Sequence, residues 1–324
     1  MNNEFYPPYK LNTAVLFLVF NRLDVTKQVF DVIKKAKPPR LYIASDGARN
    51  SVDGENEKVQ EIRDFVISSI DWDCEVKTLF RDKNMGCGPS VKNAIDWFFK
   101  SEEMGIILED DCLPDQSFFR FCEELLLKYE LDDRIGMISG NNHAGYKHSE
   151  ESYLFSKFKA CWGWATWRTA WVNMDFEMQW LNTESKNSII NNMGYGRVSV
   201  KHWSNSIKLI KNNEVSAWDW QWFFSLAVQN QLCIFPKYNL VANIGFGDNA
   251  THTVGKPQDI FVRVKEMNFP LIHPKFILQN REHDKMFEKN KIKKTFLQNI
   301  ILLVPDWFKK IVKNIKAYLL KHSS

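Results

Sequence analysis

Ala14 to Phe20 is a run of seven apolar residues without a break. A strand with one wet face alternates polar and apolar residues. This one does not, so both of its faces must be covered. The residues that follow supply the cover. Asp24 is placed to cap a helix that carries Val25, Val29, Val32 and Ile33 on one side, and Pro38 and Pro39 stop it. Leu41 to Ala44 reads as a second strand, closed by Ser45, Asp46 and Gly47. A helix with Val59, Ile62, Phe65, Val66 and Ile70 on one face comes next. Glu75 to Phe80 reads as a third strand. Pro89 falls in the first turn of a helix bearing Val91, Ala94, Ile95 and Phe98. Gly105 to Leu108 is a fourth strand. Strands alternating with helices predict an α/β fold with a mostly parallel, Rossmann-like sheet flanked by helices.

In such sheets ligands bind beyond the carboxyl ends of the strands. Four polar clusters fall at those ends: Asn21 and Arg22, Asp46 and Gly47, Arg81 to Asn84, and Glu109 to Asp111. Their convergence on one edge is the strongest functional signal in the chain. Glu109, Asp110 and Asp111 follow an apolar strand directly. Adjacent acids there can hold a hard divalent cation, which neutralises a diphosphate leaving group. Arg81 to Pro89 joins a strand to a helix and contains Gly86 and Gly88. It reads either as a tight turn or as an anion cradle at a helix N-terminus. The Gly-Lys-Ser/Thr ending of a phosphate-binding P-loop is missing. Asp46 is either an acceptor for a nucleobase N–H or one half of an Asp-Gly turn.

Beyond the fourth strand the order is less regular. Ser117 to Tyr129 reads as a helix, Ile135 to Ile138 as a strand, Trp218 to Gln229 as a helix and Leu232 to Phe235 as a strand. Trp162, Gly163, Trp164, Trp167 and Trp171 crowd one stretch. Tryptophans stack on the C–H faces of sugars, so part of this stretch suits an acceptor wall and the rest suits the core. Asp219 stands between Trp218 and Trp220, with Trp222 close by. It is either a helix N-cap or a carboxylate whose apolar surroundings fit it for general-base work. Gly245 to His252 is a polar loop of the kind that closes over a donor. His252 could be structural there, or could touch phosphate or metal.

Composition narrows the partners. From Lys285 to the end there are ten lysines against two acids, so that segment carries +8 of a net +4 and leaves −4 on residues 1–284. A mildly acidic body argues against nucleic acid as a partner. Pro305 opens an amphipathic helix, with Trp307, Phe308, Ile311, Val312, Ile315, Tyr318 and Leu319 on one face and lysines on the other. That helix, over 305–321, is expected either to pack on the body or to hold the protein at an anionic membrane surface. The domain expectation is therefore a catalytic body at 1–284 and a basic helical tail at 285–324. Cys74, Cys87, Cys112, Cys122, Cys161 and Cys233 include no C-x-x-C pair and suit reduced, mostly buried thiols. Residues 1–12 are polar with two prolines, and the apolar run that follows is too short for a membrane span. No leader is expected. A cytoplasmic location is expected, with the inner face of the plasma membrane as the place for any membrane contact.

Taken in order, these residues resemble the nucleotide-diphospho-sugar transferases of the GT-A fold. N-acetylglucosaminyltransferase I and bacterial hemolytic-protein-like sugar transferases are the members most like it. The resemblance covers roughly residues 12–255. The first strand with Arg22, then Asp46, then Arg81 to Gly88 with Asn84 and Gly86, resemble the family's nucleotide-binding segments. Glu109, Asp110 and Asp111 resemble its Glu-Asp-Asp motif. The resemblance implies manganese (or magnesium) on Asp111, with Glu109 and Asp110 near the nucleotide-sugar. Cys161 to Trp164 resemble the family's acceptor-side segment, so Trp162, Gly163 and Trp164 are implied there. Trp218 to Trp220 resemble the segment of its catalytic base, which implies that role for Asp219. The family has two adjacent acids at that point, and here Asp219 is followed by Trp220. Gly245 to His252, with Gly247, resemble its donor-closing loop.

The implied activity is an inverting transfer of a hexosyl or N-acetylhexosaminyl group from a UDP-sugar. The expected acceptor is a surface glycan or a lipid-linked sugar of polysaccharide synthesis. Two other readings stay open. A sugar-phosphate nucleotidylyltransferase would share fold and metal, but should carry a Gly-rich, Arg-containing loop after the first strand. A non-catalytic glycan-binding protein would keep the tryptophans and have no use for Asp111 and Asp219 together.

Overall fold

The computed structural model describes residues 9–142, 150–245 and 263–293. β1 (Val15–Val19) is buried at every position. Val15, Phe17 and Val19 pack into one core, and Leu16 and Leu18 into another on the opposite face of the sheet. Burying each such side chain contributes about 1.5–3 kcal/mol. That is why the run is unbroken.

α1 (Leu23–Ala36) covers the first face with Val29, Phe30, Ile33 and Ala36 and ends at Lys37 in the left-handed conformation, before the two prolines. The cap differs from the expectation. Arg22 holds the N-cap position without a side-chain capping bond, and Asp24 sits inside the first turn, where its charge suits the helix dipole. β2 (Arg40–Ser45), α2 (Glu55–Ser68), β3 (Glu75–Phe80), α3 (Cys87–Phe99) and β4 (Met104–Glu109) follow in the predicted order. α2 joins α1 on the first face, and α3 covers the second with Ala94, Ile95 and Phe98.

The rest of the chain completes the sheet. β5 (Cys112–Pro114) leaves the acidic triplet, α4 (Ser117–Lys128) packs on the first face, and β6 (Ile135–Ser139), β7 (Tyr153–Ser156) and β8 (Trp164–Trp167) come next. α5 (Arg168–Trp171), α6 (Lys186–Asn192), α7 (Arg197–Lys211) and α8 (Asp219–Val228) lead to β9 (Leu232–Pro236) and β10 (Val241–Asn243). The eight-stranded sheet runs β3-β2-β1-β4-β8-β6-β9-β7, and all but β7 and β8 run in one direction. The fold is α/β and Rossmann-like, with a mostly parallel sheet between helices.

The Trp-rich stretch becomes β8, an antiparallel strand between β4 and β6. Trp164 is fully buried there, stacked on Trp218 at 5.6 Å between ring centres. A second, two-stranded sheet pairs β10 with β5 and holds Asn243 beside Cys112.

Residue 284, the expected boundary, lies within a helix, α9 (Arg281–Phe287), which is packed into the body. His283 and Asp284 are fully buried, and Phe287 stacks on Phe158 at 4.8 Å. The Asp284 carboxylate accepts from Ser156 Oγ, from Tyr195 OH at 2.9 Å and from Gln279 Nε2 at 2.6 Å. These contacts run the body past residue 284. The amphipathic helix expected over 305–321 lies outside the described residues. Among the described residues, no helix is long and apolar enough to cross a membrane. All six cysteines are free thiols, and Cys112, Cys122, Cys161 and Cys233 are buried.

Candidate active site

A cavity of about 800 Å³ opens at the carboxyl ends of β1, β2 and β4. That volume lies within the usual range for a small-molecule site. Arg22, Asp46, Asn84, Gly86, Glu109, Asp110, Asp111, Trp162 and Asp219 all line it. Arg81, Gly163 and Trp164 are outside its lining. Arg81 instead braces the first turn of α3, donating to Ser90 Oγ at 3.2 Å and Ser90 O at 3.4 Å. Gly163 has φ +60, and a side chain on it would press on Val241. It shapes the turn into β8 behind Trp162. The expected loop residues Gly247 and His252 lie outside the described residues.

The acids stand where β4 ends. Arg22, at the start of α1, reaches both Asp110 Oδ1 and Asp111 Oδ2, the latter at 3.0 Å. The other Asp110 oxygen is buried with no hydrogen-bond partner among the described residues. Burial pushes the Asp110 carboxyl up to about 6, against the pull of Arg22. Glu109 is pushed up to about 8, by burial first and then by the charges of Asp111, Asp110 and Asp219. For Arg22, burial works against the charge, and the two aspartates more than offset it. The small sheet closes one side of this group. Ile244 N donates to Asp111 O at 2.8 Å, and a Cβ on Gly245 would stand 2.2 Å from Asp111 Oδ2. Only glycine permits so close an approach.

The loop before α3 is closed on itself. Asp46 accepts from Met85 N at 3.0 Å and Gly86 N at 3.2 Å, while Asn84 Nδ2 donates to Gly47 O at 2.7 Å. Gly88 N goes to Ser216 Oγ at 3.3 Å. The anion-cradle reading of this loop therefore meets amides that already have partners. The Asp46 carboxylate stands at the cavity's edge with both oxygens taken by backbone amides.

Phosphate charge must be met elsewhere. The described lining holds five carboxylates (Asp46, Glu109, Asp110, Asp111, Asp219) and two guanidiniums, Arg22 and Arg49. Both arginines are paired to acids, Arg49 with the buried Glu55. An anionic ligand entering here needs additional positive charge. No group of three or more His, Cys, Asp or Glu side chains set for a metal occurs among the described residues. The donors present are hard carboxylate oxygens open to a cavity. They fit Mg²⁺ or Mn²⁺, which takes one or two carboxylates and completes its shell with phosphate oxygens and water. They do not fit a closed protein cage.

Asp219 is the first residue of α8, with Trp218 at the cap. The expected choice between a cap and a carboxylate in apolar surroundings is resolved differently. Its Oδ2 lies 2.8 Å from Lys159 Nζ, and its side chain is 41% exposed, so it meets a cation and the cavity at once. Oδ1 makes no hydrogen bond with a described residue.

Lys159 went unnoticed in the sequence, although a lysine between Phe158 and the Ala160–Trp162 stretch is a signal. Lysines are rarely buried unless paired. Arg63 was also missed. It donates to Asp46 O at 3.0 Å and Arg81 O at 2.7 Å, tying the ends of β2 and β3 together.

No family model matches the chain. No curated protein matches it either. Solved structures with partial likeness include HddC from Yersinia pseudotuberculosis, 13% identical with TM-score 0.27 over 44% of this chain and 59% of that one. A cytidylyltransferase from Leptospira borgpetersenii is 11% identical with TM-score 0.31, over 51% of this chain and 64% of the other. 4-Diphosphocytidyl-2C-methyl-D-erythritolsynthase from Anaerococcus prevotii is 8% identical with TM-score 0.33, over 53% and 77%. This chain spans less than two thirds of the first two.

Proposed function

We propose that this protein is a divalent-metal-dependent glycosyltransferase of the GT-A type. It moves a hexosyl or N-acetylhexosaminyl group from a nucleotide-sugar, with UDP the expected carrier, to a glycan or lipid-linked acceptor with inversion. The observation that carries the reading is the acid-rich cavity at the carboxyl edge of the sheet, with Asp111 and Asp219 in one lining. A diphosphate can enter such a cavity only with a cation, and the Asp219 carboxylate, with Oδ1 unbonded among the described residues, is available for a proton.

In this mechanism Asp111 holds the metal, with Asp110 and Arg22 beside it. Arg22 is the guanidinium beside the metal position that can turn to the donor's phosphates, while Arg49 is held by Glu55. The metal, when bound, neutralises the diphosphate as it leaves. Lys159 holds Asp219 by Oδ2, which leaves Oδ1 to take the acceptor hydroxyl proton. The acceptor oxygen bonds to the anomeric carbon while the bond from that carbon to the diphosphate oxygen breaks. Trp162 and Trp220 supply flat faces in the same wall for the acceptor sugar.

The nucleotidylyltransferase alternative uses the same edge of the same kind of sheet. Only Phe20, Asn21 and Arg22 lie between β1 and α1, which leaves no room for a Gly-rich loop there. One experiment separates the readings. The purified protein is incubated with Mn²⁺ and either UDP-sugars plus acceptor glycans, or nucleoside triphosphates plus sugar 1-phosphates. Nucleoside diphosphate release supports the transferase. Pyrophosphate release replaces it with the nucleotidylyltransferase. Binding without turnover in either arm points to a glycan-binding protein.

A further inference from the structure

Arg22 occupies the place a cation would take. It bridges Asp110 and Asp111, contacting the second at 3.0 Å. Backbone covers this group on one side, because a Cβ on Gly245 would come within 2.6 Å of Arg22 Nη1 and 2.2 Å of Asp111 Oδ2. Arg22, Asp110, Asp111 and Gly245 all line the cavity. Asp110 is 5% exposed, and its second oxygen is buried without a partner among the described residues. The group therefore holds more acceptor capacity than the guanidinium fills.

We propose that Arg22 is a tethered counter-cation that competes with the divalent metal for Asp111 and, when displaced, pairs with the donor's diphosphate. The inference rests on the reading of Asp111 as the metal ligand. It adds an order of events. Metal alone binds weakly, because Arg22 already neutralises the carboxylates. Metal carrying a diphosphate binds well, because Arg22 exchanges one anion for another and no charge is left uncompensated. Planar guanidinium suits both partners, since carboxylate and phosphate each present paired oxygens to its fork. The paired state of Arg49 with Glu55 leaves Arg22 as the guanidinium in contact with the proposed metal ligand.

The two roles predict opposite effects of one substitution. Arg22→Gln removes the competitor, so Mn²⁺ added alone binds more tightly, by on the order of tenfold, the size of a typical coupling between ligands. The same change weakens binding of inorganic pyrophosphate at saturating Mn²⁺ by a similar factor. Arg22→Lys keeps the charge without the fork and falls between. Free Mn²⁺ is counted by its paramagnetic resonance signal and pyrophosphate binding by calorimetry, on variants whose melting temperatures show them folded. If Arg22→Gln and Arg22→Lys leave Mn²⁺ affinity unchanged or lower it, Arg22 does not compete for Asp111 and the inference fails. Asp111→Asn tests the underlying reading separately. With pyrophosphate present, unaltered Mn²⁺ binding in that variant, or none in the wild type, removes the metal site itself.

Discussion

Lys159 Nζ lies 2.8 Å from Asp219 Oδ2, with only 8% of the lysine side chain exposed. A buried lysine of this kind holds its partner in one place. Cys161 Sγ, 3.2 Å from the same ammonium, is its second contact. Lys159→Met is expected to lower kcat by about 10²-fold, the effect of misplacing a reacting group by an ångström, and to leave donor KM nearly unchanged. Lys159→Arg should restore part of kcat. Steady-state kinetics on both variants check this, and a KM effect without a kcat effect would make Lys159 a binding residue instead.

Asp219→Asn keeps the shape and removes the base. The expected loss in kcat is about 10²–10⁴-fold, with Mn²⁺-dependent nucleotide binding retained. Near-normal turnover in this variant would end the assignment.

Trp162 and Trp164 were expected in one acceptor wall, and they occupy different places. Trp162 lines the cavity, and Trp164 is fully buried in β8. Trp162→Ala should raise acceptor KM with little change in stability. Trp164→Ala should destabilise by about 3–5 kcal/mol, the range for deleting a large aromatic from a core. Urea midpoints and acceptor titrations on the two variants distinguish the roles. Equal effects on KM would contradict the separation.

The Asp284 network gives a pH dependence. Burial alone would raise its carboxyl, and the hydrogen bonds from His283, Ser156, Gln279 and Tyr195 outweigh burial and lower it. A group depressed on folding contributes stability above its unfolded pKa, near 3.9 for Asp, and loses it as pH falls through the folded value. Urea midpoints should therefore decline below about pH 4. Asp284→Asn should be less stable at neutral pH and decline less steeply in acid. A parallel acid limb in both proteins would show that other carboxylates set it.

The parallel half of the fold was legible because its signals are local. The unbroken run at Val15–Val19, the one-sided helix at Val25 to Ile33 and the polar residues at each strand end need no knowledge of the rest of the chain. β8 was not legible, since an antiparallel strand inserted between β4 and β6 is fixed by long-range packing of Trp164 and Trp167 on opposite faces. The site shows the same division. Arg22, Glu109, Asp110 and Asp111 were found from their places at strand ends. The partner of Asp219 was not, because Lys159 is 60 residues away in sequence. The place of Asp46 at a strand end was legible and its occupation was not, since backbone amides of residues 85 and 86 leave no trace in residue types.

Gly245 gives a compact test of the acidic group. Gly245→Ala places a methyl group against Asp111 and Arg22. The expected result is Mn²⁺–nucleotide affinity at least about tenfold weaker, corresponding to about 1.4 kcal/mol, with the melting temperature changed by only a few degrees. Unchanged affinity by calorimetry would mean that the ligand does not use this side of the cavity.

Metal-dependent binding of a nucleotide-sugar at Asp111 is what the proposed transfer rests on. The most direct measurement is a thermal-shift screen of nucleotide-sugars with and without Mn²⁺, on the wild type and on Asp111→Ala. A ligand that binds only the folded state raises its stability by mass action. The expected result is a rise in melting temperature with a UDP-sugar that requires Mn²⁺ and disappears in Asp111→Ala. A rise of equal size without Mn²⁺ or in the variant, or no rise with any nucleotide-sugar, would contradict it.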